Sequence, residues 1–99
     1  MKQPSTVLLA HFRSRMSRDE VMKVAEERMP RYRALAGLVQ KYYVEDPETG
    51  EIGGLYLWES PEALAEFRDS DLRATISEVY QVEGEPTVQV YRVIAPLRE

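Results

Sequence analysis

His11 is the single histidine of this sequence, and histidine is the one side chain whose ordinary pKa lies close to neutrality. Set against an aromatic pocket, it could take the proton of a phenol as a general base. The same residue could equally be a hydrogen-bonded part of the core. Tyr56 and Trp58 stand two apart in the run Gly53-Gly54-Leu55-Tyr56-Leu57-Trp58, so on a strand they share one face. Together they would make a stacking wall for a flat aromatic ligand, or ordinary core beneath a helix. Phe67 and Ile76 follow at helical spacing and are the candidate walls contributed by a second helix. Arg13 lies on the His11 face of its strand, where it could hold an anionic group or extend into solvent. One histidine, no cysteine and scattered carboxylates give no metal-ligand spacing. The chemistry expected of this set is proton transfer on an aromatic molecule, with no metal.

Such residues need a sheet and a helical layer to position them. Residues 6–13 read as a first strand, apolar on both faces: Val7, Leu9 and His11 on one, Leu8, Ala10 and Phe12 on the other. Ser17-Arg18-Asp19-Glu20 has the form of a capping box, in which serine and glutamate each satisfy a free N–H of the helix start. Val21, Ala25, Met29, Tyr32 and Leu35 then recur at helical spacing. Pro30 predicts a kink or break in that helix, and Gly37 its end. Residues 38–45 and 51–58 read as the second and third strands, joined by the turn Asp46-Pro47-Glu48-Thr49-Gly50. Gly53-Gly54 either admits a ligand close to the backbone or marks a bulge. Ser60-Pro61-Glu62 opens a second helix, Asp69-Ser70-Asp71 interrupts it, and a further helical segment runs on to Tyr80. Gly84-Glu85-Pro86 reads as a loop and residues 87–94 as the fourth strand.

The order β-α-β-β-α-β predicts an α+β, ferredoxin-like subunit. Its four-stranded sheet is antiparallel, the first and third strands are central, and both helices lie on one face. The other face carries Leu or Val from at least three strands. An apolar face of that kind marks an interface, so a homodimer that packs two open sheet faces together is expected.

Length fits one domain over residues 1–99. A formal net charge of −4 without a basic stripe argues against nucleic acid. RNA-recognition modules share the same element order, but their third strand opens on a basic residue, whereas here it opens Glu51-Ile52-Gly53-Gly54. No apolar run approaches the ~20 residues of a membrane helix, and the first residues lack the apolar segment of a signal peptide. With no cysteine to oxidise, a cytoplasmic protein is expected.

Three stretches taken together, Leu9-Ala10-His11-Phe12, Gly37-Leu38-Val39-Gln40-Lys41-Tyr42-Tyr43 and Gly53-Gly54-Leu55-Tyr56-Leu57-Trp58-Glu59-Ser60, resemble the dimeric α+β barrel superfamily. Within it, the chain is similar to small monooxygenase-type proteins related to antibiotic-biosynthesis monooxygenases. The resemblance implies the ferredoxin-like fold and the dimer. Some such proteins oxidise hydroquinone-like polyketides with O₂ and no cofactor; others degrade haem or isomerise lactones. The haem-degrading relatives use an Asn, a Trp and a His. Trp58 matches the Trp, but Leu9 stands near the Asn position and the second helix has no histidine. Joined to the site residues above, the resemblance implies a cofactor-independent monooxygenase acting on a small aromatic phenol or hydroquinone. His11 would be its base, and Trp58, Tyr56, Phe67, Ile76 and Arg13 would surround the substrate. The alternative is a non-catalytic small-molecule-binding or structural homodimer of the same fold.

Overall fold

The computed structural model describes residues 3–98. β1 (Thr6–Ser14) leads to α1 (Arg18–Arg33); β2 (Leu38–Glu45) and β3 (Ile52–Trp58) form a hairpin; α2 (Pro61–Arg68), α3 (Asp71–Ala74) and α4 (Ile76–Val79) return the chain to β4 (Val82–Arg92). The capping box forms at the start of α1. Glu20 N donates to Ser17 Oγ at 3.2 Å, and Ser17 N donates to Glu20 Oε1 at 3.0 Å. Pro30, expected to kink or break α1, leaves it a continuous helix to Arg33. It removes one N–H only a turn from the helix end. Ala34 N still donates to Pro30 O at 3.2 Å, and Tyr32, 4% exposed, anchors that last turn in the core. The helix then ends at an Ala34 cap, ahead of Gly37. Ser60 and Ser70 cap α2 and α3 by accepting from Ala63 N and Arg73 N, so the interruption falls where the sequence places it. Arg28 ties α1 to α3: its Nη2 donates to Leu72 O at 2.5 Å and its Nη1 to Thr75 Oγ1 at 3.2 Å.

The strands lie in the order β2-β3-β1-β4, each pair antiparallel. This is the ferredoxin-like α+β fold. β1 and β3 pair without interruption from Thr6↔Trp58 to Phe12↔Ile52, so Gly53-Gly54 makes no bulge against β1. Two irregularities occur elsewhere. β2 shifts register against β3 between Leu38 and Gln40, which leaves Val39 as an extra residue and reverses the alternation after it. In β4 the pairing jumps from His11↔Thr87 to Arg13↔Glu83. Gly84-Glu85-Pro86, expected to be a loop before the strand, is instead a bulge within it. Pairing of Glu83 and Val82 with Arg13 and Ser14 extends the strand past that point, and Gly84 takes a φ of +69°, which glycine adopts without strain.

The register divides the sheet into two faces. Leu8, Phe12, Tyr56 and Trp58 pack with Val21, Tyr32, Leu64, Phe67, Leu72, Ile76 and Tyr80 in one core cluster under the helices. Trp58 and Phe67 are its most enclosed side chains, and burying each stabilises the fold by about 1.5–3 kcal/mol. The opposite face carries Val7, Leu9, Leu55 and Leu57, with Tyr42 and Tyr91 about half exposed. Among the described residues no helix is long and apolar enough to cross a membrane.

Candidate active site

A cavity of about 240 Å³ opens between α1 and the helix-side face of the sheet. Leu8, Ala10 and Phe12 of β1 line its floor, with Tyr56, Phe67 and Ile76 among its walls. The volume lies just under the ~300–1,000 Å³ usual for small-molecule sites. Arg18, Arg68, Arg73 and Glu45 line its more polar part.

One amine enters this apolar space. Lys41 pairs with Tyr56 across the β2–β3 hairpin and lines the cavity. Two local features place it there. The Val39 bulge turns Lys41 onto the face shared by Leu38 and Tyr56. Gly54 then leaves room for its stem, since a methyl group there would lie 2.8 Å from Tyr56 Cε1 and 3.0 Å from Lys41 Cε. The Nζ sits over three tyrosine rings, 3.5 Å from the centroid of Tyr32, 4.3 Å from Tyr43 and 4.5 Å from Tyr56.

Desolvation by burial, reinforced by the positive charge of Arg28, pulls the Lys41 ammonium down to about 7. The tyrosine faces attract the cation and oppose that shift, but among the described residues no carboxylate forms an ion pair with it. At neutral pH a large share of molecules therefore hold an uncharged amine, lone pair available, inside the cavity. The Tyr43 and Tyr56 phenols beside it stay protonated. Burial raises Tyr56 well above its ordinary value and raises Tyr43 and Tyr80 as well.

Of the residues singled out in the sequence, Tyr56, Phe67 and Ile76 meet at the cavity. Trp58 stands behind that wall. Its ring stacks on Tyr56 with centroids 6.0 Å and planes 6° apart, and meets Phe67 at 5.2 Å. Its Nε1 is buried without a hydrogen-bond partner among the described residues. His11 and Arg13 are not brought to the cavity. Phe12 faces the helices opposite Ile52, so alternation turns its neighbours to the open sheet face. There His11 Nδ1 lies 2.9 Å from Glu51 Oε1, beside the hairpin residues Val44, Asp46 and Pro47, and Arg13 Nη1 donates to Thr49 O at 3.5 Å. A ligand between sheet and helices thus meets Lys41 in the position the sequence reading gave to His11. Lys41 escaped that reading because regular alternation from Leu38 would send it to the open face. The bulge that redirects it leaves no proline or glycine at Val39 to betray it.

The topology and the two sheet faces define a ferredoxin-like α+β protein with a cavity under its helices. The chain belongs to the family described as "Putative mono-oxygenase ydhR", whose model matches residues 7–98. Comparison with curated proteins gives no match. Among solved structures, Rv0793 from Mycobacterium tuberculosis is 23% identical with a TM-score of 0.70, over 95% of this chain and 96% of that one. SnoaB, a cofactor-independent oxygenase from Streptomyces nogalater, is 9% identical with a TM-score of 0.76, over 98% and 100%. A protein from Caulobacter crescentus CB15 described as a putative antibiotic biosynthesis monooxygenase is 16% identical with a TM-score of 0.76, over 94% and 92%. At these identities the similarity shows the shared fold.

Proposed function

We propose that this chain is a cofactor-independent monooxygenase that oxidises a small aromatic phenol or hydroquinone in the cavity between sheet and helices. Membership of a mono-oxygenase family supports the reaction class. The observation that carries the substrate class is the cavity itself, walled by Tyr56 and Phe67 with the amine of Lys41 directed into it. Oxidation of a phenol to a quinone by O₂ balances without an external reductant. One oxygen atom enters the ring as a carbonyl, the other leaves in water, and the substrate's own C–H and O–H supply the hydrogens and electrons. The chain's part is to hold the ring, favour its anion and exclude water from the intermediates.

We further propose that the protein works in the cytoplasm as a homodimer joined through the open sheet face. Val7, Leu9, Leu55 and Leu57, flanked by half-exposed Tyr42 and Tyr91, supply the apolar surface for it.

The test is O₂ uptake across a panel of hydroquinones and polycyclic phenols, with heavy-isotope O₂ to follow the label. Uptake above autoxidation with one labelled atom in the quinone supports the oxygenase. Saturable binding without uptake across the panel rejects it and leaves a small-molecule-binding homodimer, a reading that the placement of His11 outside the cavity favours.

A further inference from the structure

We infer that Lys41 is the general base of the cavity: its neutral amine takes the phenolic proton of the bound ring and then stands beside the phenolate as an ammonium. The inference rests on the cavity being the phenol site proposed above, and adds the residue that does the chemistry there. In the step, the phenolic O–H bond breaks and an N–H bond forms on Nζ. The oxygen keeps the electron pair, so the ring becomes the electron-rich anion that can reduce O₂.

The geometry that supports this is specific to Lys41. Lysines normally extend into solvent, yet a bulge and a glycine are both used to bring this one inward. The groups around it suit the transfer. From α1, Arg28 opposes a charge on Lys41 before the proton arrives, and its fixed cation favours the phenolate afterwards. Tyr32 from α1, Tyr43 from β2 and Tyr56 from β3 place their faces around Nζ, where they stabilise the ammonium once formed. Tyr80, which follows α4, remains a neutral phenol. On the more polar side, Arg18 lies 3.6 Å from the carboxylate of Glu45, and Arg68 and Arg73 add positive charge. This arrangement matches a desolvated lysine beside a second cation, a recognised way to obtain a free amine at neutral pH.

The experiment uses 7-hydroxycoumarin, a two-ring phenol whose anion absorbs apart from its neutral form. The pH is set between the Lys41 value and that of the free phenol. Binding is followed by calorimetry in buffers of different ionisation enthalpy, which count the protons released. For the wild-type protein we expect the bound phenol to show the anion spectrum with almost no proton released to the buffer, because Nζ keeps it. Lys41→Met should bind the neutral phenol, with at least a tenfold smaller anion fraction. Lys41→Arg, cationic but unable to accept a proton, should form the anion only with release of about one proton per phenol. His11→Phe should behave as wild type. Anion formation that persists in Lys41→Met, or that disappears in His11→Phe, overturns the inference. So does a neutral phenol bound to the wild-type protein. Failure of the wild type to bind overturns the phenol site as well. Normal anion formation with no O₂ uptake separates the two ideas: Lys41 stands as base while the oxygenase falls.

Discussion

At the scale of single residues, Lys41 carries a thermodynamic signature that needs no substrate. Its folded value is about 7, against an ordinary 10.5 in the unfolded chain. Between those values the unfolded chain binds more protons, so stability rises with pH across that window. Below it the whole penalty is present, roughly 5 kcal/mol or less by the usual conversion of a pKa shift into free energy. Lys41→Met fills the same space without a charge to desolvate. It should be more stable than wild type at about pH 6, with the gap closing as pH approaches 10. Thermal melts of both proteins across that range test this, and a gap independent of pH would mean that the amine is not desolvated. His11 offers a contrast. It is paired with Glu51 and about one-third exposed, so the residue whose type pointed most directly to acid–base chemistry sits away from the enclosed cavity.

At the scale of elements, the strands and helices were legible because local signals agree. The capping box of α1, Ser60-Pro61 at the start of α2 and the Asp46–Gly50 turn each satisfy backbone groups with nearby side chains, and sequence shows such contacts directly. The shared face of Tyr56 and the inward face of Phe67, which bring both to the cavity, were readable for a similar reason, since period alone gives the face of a strand or helix. What the sequence hid are features set by pairing between distant strands. The Val39 bulge decides which face Lys41 takes. The β4 bulge keeps Gly84-Glu85-Pro86 inside a strand. The tolerance of α1 for Pro30 depends on Tyr32 being held by the core. The link between α1 and α3 gives a prediction at this scale. Arg28→Leu removes the donors to Leu72 O and Thr75 Oγ1 and should cost about 1–3 kcal/mol in denaturant unfolding. It also removes the cation that depresses Lys41. The pH dependence of amine-selective labelling at Lys41 should therefore move to higher pH; an unmoved profile would show that Arg28 acts only as a tie.

At the scale of the whole molecule, the two faces of one sheet have separate tasks. Alternate residues of β1 and β3 line a cavity on one side and present an apolar surface on the other. The surface side is where the proposed second copy of the chain would pack. Leu57→Lys would bury a charge in that contact, a cost the pairing cannot offset without a partner carboxylate. Light scattering should give twice the chain mass for wild type and the single-chain mass for the variant; a wild-type monomer at micromolar concentration would end the dimer proposal. One more consequence follows from where the chain's lone tryptophan lies. Trp58 is stacked on the Tyr56 ring that walls the cavity, sealed from water yet one ring away from whatever binds. The protein thus carries its own optical gauge. Its emission should sit toward the blue, as for any enclosed indole, and a quinone formed in the cavity by the proposed reaction, an electron acceptor one ring removed from the indole, should dim it. Filling and emptying of the site could then be followed by light alone, with no label attached.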